Sequence, residues 1–453
     1  MGIAEKIKDG LKTNIQNNLN KKNIKKILNI ISSEPLLSAY GATFASKSDK
    51  FLNIYSIKSL QKAYSSRYPV AYGSLFLPFE LFHALGLAPF LPEVIGGFTG
   101  GLGLADRTLK EASSRWYTPD LCTFHRSASG AVEMDLFPEP DFIICTNIAC
   151  DAAQKTFYID ASKFGIKDKF YLIDVPYKKN EGSIKLLAKQ LENISADIAA
   201  KMNKKIDMEK FASVIDYSNK FRDWALKANG VRKKLLFYPK YFNGLNFILP
   251  FHGLAGTKEA ADLYRNVYLE LNEFLKVQES IFTNTGNYKP EKMFKGRKIP
   301  CVDNLKKSRK ILWMHLKPYY KNSIFTMLEE NNYTIVFEEI SNVYWPRLDP
   351  EKPFESLAVK MLSNPLNGSI ENRVNAILKM ALDYGIDGAV LFAHWGCRHS
   401  NGGARILKDS LKNIGIPLLI LDGDCLNKNN SSEGQISTRL QGFIEIVDSR
   451  IQD

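Results

Sequence analysis

The residues best suited to chemistry in this sequence are its cysteines. There are six: Cys122, Cys145, Cys150, Cys301, Cys397 and Cys425. Cys145 follows directly on the apolar run Phe142-Ile143-Ile144, and Cys150 opens the next helical segment. Cys397 lies just past AVLFAH, and Cys425 just past PLLILDGD. These four fall at or beyond the C-terminal ends of expected parallel strands, where open α/β sheets bind ligands. Cys122 sits in the loop-like stretch TPDLCTFHR, and Cys301 in a basic, Gly- and Pro-containing run. Cys150 is followed by Asp151 and a helix, whose free N–H groups and dipole stabilise a thiolate or an anionic cluster. Cys397 precedes Gly402, Gly403 and another helix start, a turn in which backbone can approach a bulky ligand closely. Zinc favours close C-x2-C pairs, and there is none; the C-x4-C of Cys145 and Cys150 is too little alone. Iron–sulfur clusters accept thiolates from separate loops, whereas buried free thiols pack as small hydrophobes. Spacing alone leaves both readings open.

Other side chains stand near these thiols in sequence. His125 lies three residues after Cys122 and His394 three before Cys397. Either could donate to a cluster sulfur or a thioester oxygen, or be an ordinary hydrogen-bonded histidine. Glu80, in Pro78-Phe79-Glu80 at a helix start, is a candidate proton-handling carboxylate, or an acid complementing the helix dipole. Trp395 could shield a cluster or simply pack, and Arg439 could pair with an acid or with a phosphate, the acid pairing being favoured. The glycine-dense GGFTGGLG is not G-x-G-x-x-G and reads as a flexible turn.

An alternation of strands and helices must position these residues. Residues 1–65 read as amphipathic helix. In a first α/β region, residues 66–205, a strand at 142–144, a helix at 151–164, a strand at 170–175 and a helix at 183–200 argue for a parallel sheet. Residues 206–300 form a helical connector ending in the linker-like GNYKPEKMFKGRKIPCVDN. A second α/β region, 301–453, alternates strands ILWMHL, TIVFEE, 388–393 and 417–421 with helices at 323–331, 371–384, 403–414 and 433–447. The expected fold is therefore α/β, with two Rossmann-like doubly wound parallel-sheet domains and helical N-terminal and connecting segments.

Composition narrows the class. With 45% apolar and 24% charged residues among 453, the chain can bury large cores. No apolar run reaches membrane-spanning length, and MGIAEKIKDG does not read as a signal peptide, so a cytoplasmic location is expected. There the cysteines would be free thiols, metal ligands or catalytic groups. The net charge of +13 could attract phosphates. Without a nucleic-acid-binding motif it reads as solvated helical surface.

Several stretches resemble one family. YGSLFLPFELFHALGLAPF resembles a segment with Pro-x-Glu ahead of Ala-x-Gly, and LCTFHR with DFIICTNIACDAAQKTFYI resembles a paired-cysteine region ending in Cys-Asp. KILWMHLKPYY, HWGCRHSNGGARILKDSLKNIGIPLLILDGDC and EGQISTRLQGFIE resemble its C-terminal half. The likeness runs in order over roughly residues 65–450, and the family is the 2-hydroxyacyl-CoA dehydratases and benzoyl-CoA reductases, including double-cubane cluster proteins. The resemblance implies a [4Fe–4S] cluster held by Cys122, Cys150 and Cys397. It implies a separate activator ATPase that delivers a low-potential electron, and radical dehydration or reduction of an acyl-CoA. It also implies a homodimer, or a heterodimer with a related subunit. Cys145 and Cys425 are additional thiols in the same crevice, and with Cys301 they would complete the six ligands of a double-cubane centre. Three functions follow as alternatives: an acyl-CoA dehydratase or reductase, a double-cubane reductase of small molecules, and a non-catalytic electron carrier.

Overall fold

A computed structural model describes residues 19–33, 35–36, 46–101, 103–236, 248–283 and 307–452. Two four-stranded parallel sheets organise the chain. The first contains β1 (Val70–Gly73), β2 (Ala88–Phe90), β3 (Phe142–Thr146) and β4 (Phe170–Ile173), in the order β2-β1-β3-β4. The second contains β5 (Arg309–Met314), β6 (Tyr333–Glu338), β7 (Gly388–His394) and β8 (Leu418–Gly423), in the order β6-β5-β7-β8. The expected doubly wound α/β architecture is thus present in both halves. Every residue of β1, β3 and β7 is buried, as befits central strands covered by helices on both faces. In each sheet the order reverses between the first and third strands, so a crevice opens beyond β1 and β3, and beyond β5 and β7.

Helices Met208–Arg232 and Lys258–Thr283 join the halves. One continuous hydrophobic core includes Ala71 and Ile144 of the first sheet, Phe221 and Leu271 of these helices, and Leu312 and Leu391 of the second sheet. The N-terminal region contributes helices Lys21–Ile31 and Lys47–Tyr64, with Asn20 and Ser46 accepting first-turn N–H groups as caps. The Tyr64 hydroxyl donates to the Leu136 carbonyl at 2.7 Å and ties the second helix to the first α/β half.

The expected flexible turn at GGFTGGLG is instead largely helix, Pro92–Gly101. A Cβ at Gly96 would lie 2.9 Å from the Phe124 carbonyl oxygen, and one at Gly97 would lie 2.8 Å from the Phe124 ring. These glycines permit close packing against helix Thr123–Glu133, which carries His125. Cys301 and its linker-like stretch lie outside the described residues.

Candidate functional site

Three cysteines begin helices. Cys122 is the N-cap of Thr123–Glu133, Cys150 of Asp151–Lys163, and Cys397 of the short helix Arg398–Gly402. The Ala153 backbone N–H donates to Cys150 Sγ at 3.4 Å, and nearby first-turn N–H groups favour the thiolate form of Cys122 and Cys397. The cysteine at an N-cap therefore supplies sulfur where helix geometry supplies donors. The loops after β3 and β7 are alike: the residue before each cysteine, Ala149 (φ 59°) or Gly396 (φ 78°), is left-handed. A Cβ at Gly396 would fall 2.6 Å from the Cys122 nitrogen, so the β7 loop lies directly on the Cys122 backbone.

All three thiols line one cavity of about 540 Å³ between the halves. Each has an imidazole within reach. His394 Nε2 is 3.3 Å from Cys122 Sγ, His125 Nε2 is 3.2 Å from Cys150 Sγ, and His315 Nε2 is 3.5 Å from Cys397 Sγ. For His394 the proton can be assigned. The Cys425 backbone N–H donates to Nδ1 at 3.0 Å, so the neutral ring carries its hydrogen on Nε2 and donates to Cys122. Burial pushes the pKa of His394 and His315 down to about 3, which keeps both rings neutral. His315 has φ 64°, with its backbone N–H donating to Glu339 Oε2 at 3.1 Å.

Arg373 braces this corner. Its Nε and Nη2 meet the two Glu339 oxygens at 2.6 and 2.8 Å, and Nη1 donates to the Ser400 carbonyl at 3.1 Å. Although burial pushes the Glu339 carboxyl up, Arg373 holds it below the usual range. On the opposite side Glu93 accepts the Leu75 N–H at 2.6 Å through Oε1. Its Oε2, 3.5 Å from His125 Nε2, has no hydrogen-bond partner among the described residues. Burial raises this carboxyl's pKa.

The other sequence candidates lie elsewhere. Glu80 is fully buried but does not line the cavity. Its Oε1 accepts from Lys360 Nζ at 2.6 Å and from Ser218 Oγ at 2.5 Å. Although burial pushes its pKa up, Lys360 and Ser218 hold it below the usual range. Cys145 packs in a core with Tyr72, Ala153 and Phe157, and Cys425 with Trp313, Phe392 and Leu440. Neither thiol is on the cavity wall; the contribution of Cys425 to the site is its backbone N–H. Trp395 is half-exposed, with Nε1 donating to the Pro119 carbonyl at 3.3 Å. Arg439 pairs with Asp422 at 2.7 Å, as its sequence position suggests.

Glu93, His315 and Arg373 also line the cavity, although the sequence does not single them out. Glu93 repeats the Pro-then-acid helix start of the Glu80 segment. His315 ends a strand, and the strand-end rule that singled out the cysteines applies to it equally. Arg373 carries no local signal.

Three sulfurs from separate loops could together hold a metal cluster. Among the described residues no three His, Cys, Asp or Glu groups converge closely enough to hold one metal ion, yet three sulfurs face one cavity. Burial pushes Cys122 well above the ordinary thiol range, Cys150 up to about 12 and Cys397 up to about 11. Thiolates there need a compensating positive group, which a bound cluster supplies.

A family model described as 2-hydroxyglutaryl-CoA dehydratase, D-component, matches residues 74–447. The chain is 26% identical over 389 residues to the (R)-phenyllactyl-CoA dehydratase alpha subunit of Clostridium sporogenes, covering 82% of this chain and 87% of that protein. It is 26% identical over 322 residues to the (R)-2-hydroxyglutaryl-CoA dehydratase alpha subunit of Acidaminococcus fermentans, covering 69% and 61% respectively. A benzoyl-CoA reductase subunit of Thauera aromatica matches at 21% identity over 393 residues, covering 82% of this chain and 87% of that protein.

Proposed function

This chain belongs to the 2-hydroxyglutaryl-CoA dehydratase D-component family, and from that premise we propose that it is the iron–sulfur subunit of an enzyme dehydrating a 2-hydroxyacyl-CoA. Cys122, Cys150 and Cys397 would hold a [4Fe–4S] cluster. The observation that carries this reading is the meeting of three helix-capping cysteines, from three separate loops, on one cavity wall. When bound, the cluster would supply a low-potential electron, received from a separate ATP-hydrolysing activator. The subunit designations of the relatives support a partner subunit, either a second copy or a related chain.

The chain's own residues define the rest. His394 donates its Nε2 hydrogen to Cys122 and fixes that sulfur. Glu93, anchored by the Leu75 N–H and with Oε2 toward His125, is placed to hold a proton for a departing hydroxyl. Glu339 and Arg373 set His315 beside Cys397. A cavity of this size, largely walled by side chains of both halves, holds an acyl group away from water. A pure electron carrier needs no such cavity, which favours the enzyme reading. The packed positions of Cys145 and Cys425 favour a single cubane over a double one.

The test is anaerobic purification followed by iron and acid-labile sulfide analysis and EPR after reduction. About four irons per chain are expected. A folded protein without iron would overturn the reading, and about eight irons would restore the double cubane.

A further inference from the structure

The cavity wall differs from the sulfur-bearing corner. Its apolar side chains come from both halves, among them Phe76, Phe98 and Ile148 from the first, and Leu316, Ile340 and Met380 from the second. Phe98 is 40% exposed, a large ring left facing water unless a ligand covers it. Met380 continues the helix face that begins with Arg373 and Ala376, all three lining the cavity.

The polar groups on the wall are equally informative. Among the described residues lining the cavity, the carboxyl side chains are those of Asp49, Glu93 and Glu339, and the sole guanidinium or ammonium is that of Arg373. That guanidinium is committed, with Nε and Nη2 on Glu339 and Nη1 on Ser400. Burial leaves His252 neutral. A second carboxylate on the bound molecule would lose its hydration and meet Asp49 and Glu93, with Arg373 already paired. An apolar chain or ring would meet the six side chains above and cover Phe98.

We infer that the acyl group taken by this site is uncharged and apolar, a branched aliphatic or aromatic chain, and that acyl thioesters bearing a second carboxylate are rejected. This rests on the acyl-CoA reading above and adds the class of acyl chain.

The test is calorimetric titration of the anaerobically purified protein, in the assembly it forms in solution, with 3-phenylpropionyl-CoA, glutaryl-CoA and free CoA. The two thioesters lack the 2-hydroxyl and measure binding without turnover. Phenylpropionyl-CoA is expected to bind at least about tenfold more tightly than glutaryl-CoA, the discrimination an apolar pocket commonly gives. Met380→Arg, which adds an uncommitted guanidinium to the wall, is expected to narrow or invert that ratio. Equal or tighter binding of glutaryl-CoA by the wild type would overturn the inference while leaving the acyl-CoA reading intact. Neither thioester binding better than free CoA would overturn both. The wild-type comparison decides the matter even if the variant does not fold.

Discussion

The two α/β halves run their strands in the same order, yet they load the strand ends differently. The first half brings two of the three cavity cysteines, Cys122 and Cys150, and a buried acid, Glu93, whose second oxygen has no hydrogen-bond partner among the described residues. The second half brings one, Cys397, and sets beside it a paired acid: Arg373 on Glu339 and the Ser400 carbonyl, and Glu339 on the His315 backbone. Among the described residues Glu93 has no Lys or Arg partner, and burial raises its pKa. Glu339 has a guanidinium and its pKa is lowered. A shared scaffold thus gives one half a carboxyl with one oxygen unpaired among the described residues and the other a carboxylate braced by a guanidinium.

The sharpest way to break this comparison is to remove the sulfurs one by one. Cys122→Ser, Cys150→Ser and Cys397→Ser should each lose most of the expected four or so irons per chain. Cys145→Ser and Cys425→Ser should keep them, since those thiols are not on the cavity wall. Iron analysis of the five variants checks this, and iron loss in Cys145→Ser with retention in Cys397→Ser would reverse the assignment of roles to the halves.

Next in size is the brace. Arg373→Met leaves Glu339 buried without its partner, and should cost about 3–5 kcal/mol in urea unfolding. Glu93→Gln keeps an acceptor for the Leu75 N–H and should change stability by less than about 1 kcal/mol. Comparable losses in both would mean the two acids are equivalent.

Acid provides a related contrast. Glu80 and Glu339 are both held below the usual glutamate value of 4.5. A depressed carboxyl contributes stability that is whole above 4.5 and lost as pH falls through its folded value. The wild type should therefore lose stability below pH 4.5 more steeply than Glu80→Gln or Glu339→Gln, as urea midpoints against pH would record. Parallel curves for all three proteins would remove these pairs from the acid response.

Much of this arrangement is legible in the sequence where an element is long or a turn residue marks its end. β3, β7 and β8 are apolar runs closed by a cysteine, a glycine or an acid. β1 and β2 are only four and three residues long, and their apolar stretches cannot be told from the neighbouring helix by periodicity. The pairing of cysteines with histidines is only partly readable. His125 and His394 lie near cysteines in sequence, but the structure crosses them: His394 serves Cys122, 272 residues away, and His125 serves Cys150. Glu80 and Glu93 look alike locally. What separates them is Lys360, 280 residues from Glu80, which neutralises that acid outside the cavity. Such long-range pairings are set by packing of the two sheets and leave no mark on local spacing.

The smallest effects compare the matching loops before Cys150 and Cys397. Both place a left-handed residue there, but the first half uses Ala149 and the second Gly396. Ala149→Gly removes a left-handed cost of about 1–2 kcal/mol and adds an unfolded-state entropy cost of about 0.5–1 kcal/mol. The net change should be within about 1 kcal/mol. Gly396→Ala carries the left-handed cost and also drives a Cβ against the Cys122 backbone nitrogen, so a loss of about 2–4 kcal/mol is expected, with partial loss of iron. The second loop touches the Cys122 backbone of the opposite half through its left-handed residue, so its variant should couple stability to iron content. Iron loss in Ala149→Gly as large as in Gly396→Ala would show that loop conformation, rather than contact between the halves, holds the cysteines in place.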